Sequence, residues 1–114
     1  MARILLVGMD ENLASQLGAV LANDHHDVTA AAELDRGCGD AEVIFSCGDG
    51  GQYKKHLANA RSQRPNVPFV VVTRLPETEQ WLNALEDGAT DYCAAPFERR
   101  QVRWILDTVL RRAA

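Results

Sequence analysis

"PFVVVTRLPETEQWLNALEDG", residues 68–88, decides the fold. It opens on the clearest strand of the chain, Pro68-Phe69-Val70-Val71-Val72-Thr73. Continuous rather than alternating hydrophobicity is what a strand needs when both faces of its sheet are covered. Pro76 suits the first turn of a helix, where its missing N–H would have no partner anyway, and Glu77 and Glu79 complement the helix dipole. Leu82 and Leu85 are expected to face inward and Gly88 to end the helix. A buried strand that turns at once into an amphipathic helix is half of a βαβ crossover.

The same alternation runs outward in both directions. Toward the N-terminus lie a helix marked by Tyr53, Leu57 and Ala60, a strand over Val43–Ser46 and a weaker one over His26–Ala30. Beyond them, Leu13, Leu17, Val20 and Leu21 recur at helical spacing with Asp10 or Asn12 as N-cap, and Arg3–Val7 reads as a short buried strand. Toward the C-terminus, Asp91–Ala94 is a fifth strand, and a helix from about Glu98 buries Val102, Ile105, Leu106 and Val109. Short connections between such elements imply a parallel sheet with helices on both faces, and five units imply a flavodoxin-like doubly wound α/β fold. Glu33–Asp40 leaves room for barely one turn, so the second helix is expected to be short or missing.

Totals agree with one soluble domain over residues 1–114: 46% hydrophobic, 25% charged and a formal net charge of -4. That balance gives no pull toward nucleic acid or anionic membrane. No apolar run is long enough to span a bilayer, and Met1-Ala2-Arg3 leads too abruptly into Ile4–Val7 for a signal peptide. Three cysteines without a CxxC argue for a reducing cytoplasm and against a disulfide or zinc framework.

Three segments carry a family resemblance. "VPFVVVTRL" (67–75), "ALEDGATDYCAAPF" (84–97) and "RILLVGMDEN" (3–12) stand in the order and spacing of a response-regulator receiver domain, and the likeness covers the whole chain. Such a domain places four charged groups at the C-terminal edge of its sheet. An acid pair after the first strand holds Mg²⁺, an Asp at the end of the third accepts a phosphoryl group, and a Lys before the fifth-strand proline contacts that phosphate. The acid pair aligns with Gly8 and Met9, leaving Asp10 one place late. The acceptor aligns with Cys47, with Glu42 as the acid five residues upstream, and the lysine aligns with Ala95 before Pro96. All four positions are uncharged. Mg²⁺ wants oxygen ligands that these side chains do not offer, and without a carboxylate no acyl phosphate forms. A lysine left alone in such a pocket would be a costly unpaired charge, so the losses are coherent.

The resemblance therefore implies a phosphorylation-independent, non-enzymatic receiver with no metal or other cofactor. Thr73 and Tyr92 match the hydroxyl and the aromatic that move together in the family's switch, although Thr and Tyr are ordinary strand residues. The Ala95–Pro96 bond is expected to be cis, as in the family. A true receiver using Asp10 or Asp49 with Mg²⁺ is the minority reading.

Rival chemistries are weaker. Cys47 at a strand end could act as a nucleophile or redox sensor, but it needs a base. His25 and His26 start the second strand, at the opposite edge of the sheet and roughly 15 Å away. His56 sits more than a turn into its helix. "CGDGG" (47–51) lacks the features of a phosphate-binding loop and reads as a tight turn. His25-His26-Asp27 has ligand-type residues without partners at matching spacing, and a solvated loop is the better account. In the last helix, Trp104 points away from the buried stripe at 100° per residue, flanked by Arg100 and Arg111. With Trp81 and Tyr92 it is expected to form a protein interface, for a homodimer or another partner. The resemblance places that interface on the fourth helix, fifth strand and fifth helix. The competing account packs Trp104 along the arginine stems.

Overall fold

The computed structural model describes residues 2–31, 40–48, 53–74 and 78–113, and the side chains of residues 78–81 and 111's two successors fall outside that set. Five strands form one parallel sheet: β1 (Arg3–Val7), β2 (Asp27–Ala31), β3 (Val43–Cys47), β4 (Phe69–Thr73) and β5 (Asp91–Ala94), in the order β2-β1-β3-β4-β5. Four described helices cover it: α1 (Glu11–Asn23), α2 (Tyr53–Gln63), α3 (Thr78–Glu86) and α4 (Arg99–Ala113). This is the doubly wound flavodoxin-like fold that the alternation implied. The stretch in which a stunted helix was expected lies almost wholly outside the described residues, as do Cys38, Asp49, Pro76 and Glu77. The surface expected on the fourth helix, fifth strand and fifth helix is α3–β5–α4 in this numbering.

Alternation along the strands divides the core into two layers. Ile4, Leu6, Val43, Phe45, Cys47, Val70, Val72 and Cys93 face α1 and α4, meeting Leu13, Leu17 and Leu21 from one helix and Val102, Ile105, Leu106 and Val109 from the other. Val7, Ile44, Phe69 and Val71 face α2 and α3, against Tyr53, Leu57, Ala60 and Ala84. β3 and β4 are buried along their whole lengths, which is why their sequences do not alternate in polarity.

Four strand boundaries, among them the end of β2 at Ala31 rather than Ala30, and one helix face differ from the reading of the sequence. β2 starts at Asp27 rather than His26, because the His26 Nδ1 accepts the Ala2 N–H at 3.0 Å and the register begins with Arg3 opposite Asp27. β3 extends one residue to Cys47, whose partner is Val72. β4 begins after Pro68, which has no N–H to give to a ladder but accepts the Ile44 N–H through its carbonyl. Leu82 was expected to face inward and is instead 50% exposed, with Leu85 half-buried and Ala84 fully buried. Leu82 lies about 200° around the helix from Ala84. α3 seats itself through the small alanine, and that turns Leu82 to solvent. Gly88 ends this helix with φ +105°, and the Ala95–Pro96 peptide is cis.

Candidate functional site

The C-terminal edge of the sheet gathers residues that are far apart in sequence. Gly8 follows β1, Cys47 closes β3, Thr73 closes β4, and Ala95 follows β5. Backbone hydrogen bonds fix them side by side: Gly48 N–H to the Val72 carbonyl at 2.7 Å, and Ala95 N–H to the Thr73 carbonyl at 2.7 Å. Gly8, Met9, Cys47 and Ala95, the positions singled out in the sequence, thus stand along one rim, and none of them carries a charged side chain.

Asp10, an acid that follows Met9 directly, is already engaged. It N-caps α1, its Oδ1 accepting the Leu13 N–H at 2.8 Å. Arg74, one residue past β4, holds both carboxylate oxygens: Nη2 donates to Oδ1 at 2.8 Å, and Nη1 lies 2.7 Å from Oδ2. The Arg74 guanidinium and then the Leu13 N–H hold the Asp10 carboxyl down at about 2.

Cys47 packs into the α1/α4 layer at 9% exposure. Cys93 lies on the same face at 1%, where burial pushes its thiol up to about 11. Val72 stands between the two in register, so they are two inter-strand spacings apart, about 9.6 Å, too far for a disulfide. His56, from α2, is buried at 6% exposure and lies against the end of β1: a Cβ on Gly8 would sit 2.6 Å from its Nε2. Gly8 itself has φ +66°, the left-handed region that favours glycine. His25, exposed in the turn before β2, also has a positive φ, and burial pulls His26 below the ordinary imidazole range. Among the described residues no three His, Cys, Asp or Glu side chains are grouped to hold a metal ion.

Thr73 is fully buried, and its alternation with Val71 and Phe69 turns it toward the α2/α3 layer. Tyr92 pairs with Val71 on that same face, half-buried, with its hydroxyl oxygen out of reach of solvent. The two residues expected to act as a switch therefore share one layer. On the outer surface Trp104 is 63% exposed, as its helical phase implied, with Arg100 and Arg111 also exposed. The side chain of Trp81 lies outside the described residues. Arg99 and Arg103 are drawn off to Asp24, at 2.7 and 2.8 Å.

The reading of the sequence passed over Arg74 and gave His56 only a doubtful reach to Cys47. His56 had a usable signal, since positions 53, 56, 57 and 60 make one helical stripe and all four are buried. Arg74 had none: its partner is 64 residues away.

Solved structures share this fold. NtrX from Brucella abortus, crystallised with ADP, matches with a TM-score of 0.84 at 19% identity over 98% of this chain and 27% of that one. A response regulator receiver domain protein from Clostridium thermocellum matches with a TM-score of 0.83 at 15% identity, over 98% and 96% of the two chains. At such identities these likenesses establish the fold. Sequence similarity is carried by Sensory transduction protein RegX3 of Mycobacterium tuberculosis, 29% identical over 119 aligned residues, 98% of this chain and 52% of that protein. The Phosphate regulon transcriptional regulatory protein PhoB of Escherichia coli is 35% identical over 65 residues, 57% of this chain and 28% of that one. In sequence and in fold the chain resembles response-regulator receiver domains. No protein-family model matches it. The chain spans about half the length of the RegX3 proteins it matches. No helix among its described residues is long and apolar enough to cross a membrane.

Proposed function

We propose that residues 1–114 form a phosphorylation-independent receiver that signals by protein–protein contact, as a homodimer or as the input domain of a longer regulator. One observation carries the reading. At the C-terminal edge Gly8, Met9, Cys47 and Ala95 offer neither carboxylate nor ammonium, and Asp10, the acid that follows Met9, is committed to Arg74 and to the α1 N-cap. Mg²⁺ needs accessible oxygen ligands and a phosphoryl group needs an acceptor carboxylate, so the usual trigger has nowhere to act. Buried in the α1/α4 layer, Cys47 is poorly placed for the redox role, which needs an accessible thiolate.

Signalling by contact falls to the α3–β5–α4 surface. Exposed Trp104 between Arg100 and Arg111, with exposed Leu82 on α3, has the aromatic and arginine composition of an interface anchor. In this reading Thr73 and Tyr92 keep the switch geometry, with the cytoplasm as the setting.

Amide NMR of the domain, titrated with Mg²⁺ and then with beryllium fluoride, tests the loss of the trigger. Resonances of Met9, Cys47, Thr73 and Tyr92 are expected to stay in place; saturable shifts among them would sink the proposal. Trp104→Ala tests the surface by sedimentation of the full-length protein, where a self-association or partner complex is expected to weaken at least tenfold.

A further inference from the structure

His25-His26-Asp27 joins α1 to β2 at the end of the sheet opposite Cys47 and Thr73. The positive φ of His25, 65°, turns the chain there, and the His26 N–H reaches back to the Leu21 carbonyl at 3.3 Å. The backbone of His26 is thereby tied to the last turns of α1, and its imidazole meets the start of β1. There the Ala2 N–H donates to His26 Nδ1 at 3.0 Å, and the next residue, Asp27, donates its own N–H to the Ala2 carbonyl at 3.0 Å. Both backbone polar groups of Ala2 are therefore held by two successive residues. Ala2 is 3% exposed and belongs to the same core layer as Leu21.

The direction of the first of these bonds fixes the state of the ring. A backbone N–H can only donate, so Nδ1 must offer a lone pair, and the single proton of the neutral imidazole sits on Nε2. An imidazolium carries a proton on both nitrogens and would set the Ala2 N–H against a second donor. Burial disfavours that cation most, and the charge of the amino terminus adds to the effect. Asp24 at the end of α1, Glu42 ahead of β3 and Asp107 on α4 favour it, and the ring is left below its ordinary range. Arg99 and Arg103 of α4 line the same hollow, and both are engaged by Asp24.

We propose that His26 is a proton-operated latch: the neutral ring closes Ala2 onto the start of β2, and the imidazolium releases it. The latch stands at the N-terminal edge of the sheet, so it neither uses the candidate site nor rests on the phosphorylation-independent reading. Its sign follows from the depressed imidazole. The contribution is complete above the unfolded histidine value of about 6.5 and is lost as pH falls below it. That window lies above the one in which Asp10 and Asp24, both at about 2, are protonated.

The experiment follows the His26 ring nitrogens and the hydrogen exchange of the Asp27 amide by NMR, from about pH 7.5 to about pH 5. At the upper end Nδ1 is expected unprotonated and Nε2 protonated. Asp27 protection, corrected for intrinsic exchange, is expected to fall at least about tenfold with the same midpoint as His26. His26→Asn supplies a side-chain oxygen that accepts but does not titrate, so its Asp27 protection should stay flat. His26→Ala has no acceptor, and its protection should be low at every pH. A proton on Nδ1 at the upper pH would overturn the proposal. So would Asp27 protection that stays constant while His26 titrates, that falls as much in the variants as in wild type, or that matches wild type in His26→Ala. The alanine variant carries the comparison if His26→Asn does not fold.

Discussion

Gly8 shows how much one missing side chain can settle. Its φ of +66° is open to glycine at little cost, and a Cβ there would come within 2.6 Å of the His56 Nε2. Backbone and packing therefore exclude the same substitution independently. Gly8→Ala is expected to destabilise the domain by about 1–3 kcal/mol, the usual range for a non-glycine residue held in a sparsely populated backbone region. Urea denaturation reads this directly. In the double variant with His56→Ala the penalty should shrink but not vanish, since the strain in φ remains. The sequence showed that an acid was absent at position 8, and only the fold showed what stands in its place.

At the scale of elements, α3 separates amphipathic pattern from actual burial. Leu82 and Leu85 are its obvious apolar residues, yet the contact with the sheet is made through Ala84, with Ala89 buried just beyond the helix. A short helix can rotate to bring a small residue against a flat sheet, because closer approach brings more atoms into contact than one leucine at larger separation. Leu82→Gln is thus expected to change stability by less than about 0.5 kcal/mol, as exposed substitutions do. Ala84→Leu should cost about 1–3 kcal/mol through overpacking. Thermal unfolding of the two variants checks both, and a larger loss for Leu82→Gln would contradict the observed facing of α3. β1, β3 and β4 were legible because burial on both faces leaves an unbroken apolar run. The start of β2 was not, because the side chain of His26 takes up a backbone N–H that its position in the sequence does not announce.

Across the whole molecule, long-range ion pairs tie distant parts of the chain together. Asp24, at the C-terminus of α1, accepts hydrogen bonds from Arg99 and Arg103 of α4, and the two guanidinium groups hold its carboxyl down at about 2. Asp10 is held equally low by Arg74 across the other end of the sheet. Both folded-state values lie below the unfolded carboxylate value of about 3.9. Their stabilising contribution is therefore fully present above about pH 4 and is lost as pH falls from there toward 2. Thermal melts across that window should show a falling Tm in wild type and a flatter profile in Asp24→Asn; parallel profiles would refute the assignment.

The sequence by itself determined the layers, because hydrophobic periodicity is a local property and burial on one face or two writes it directly into the chain. It also determined that Gly8, Met9, Cys47 and Ala95 bring no charge to the end of the sheet, and that Trp104 faces away from the core. Tertiary structure alone decided what replaces the missing groups. The Asp10–Arg74 pair joins residues 64 positions apart, and His56 meets Gly8 only because α2 folds back over the end of β1. Contacts of that kind depend on strand order and helix rotation, and these are set by the packing of the whole core rather than by any segment of it.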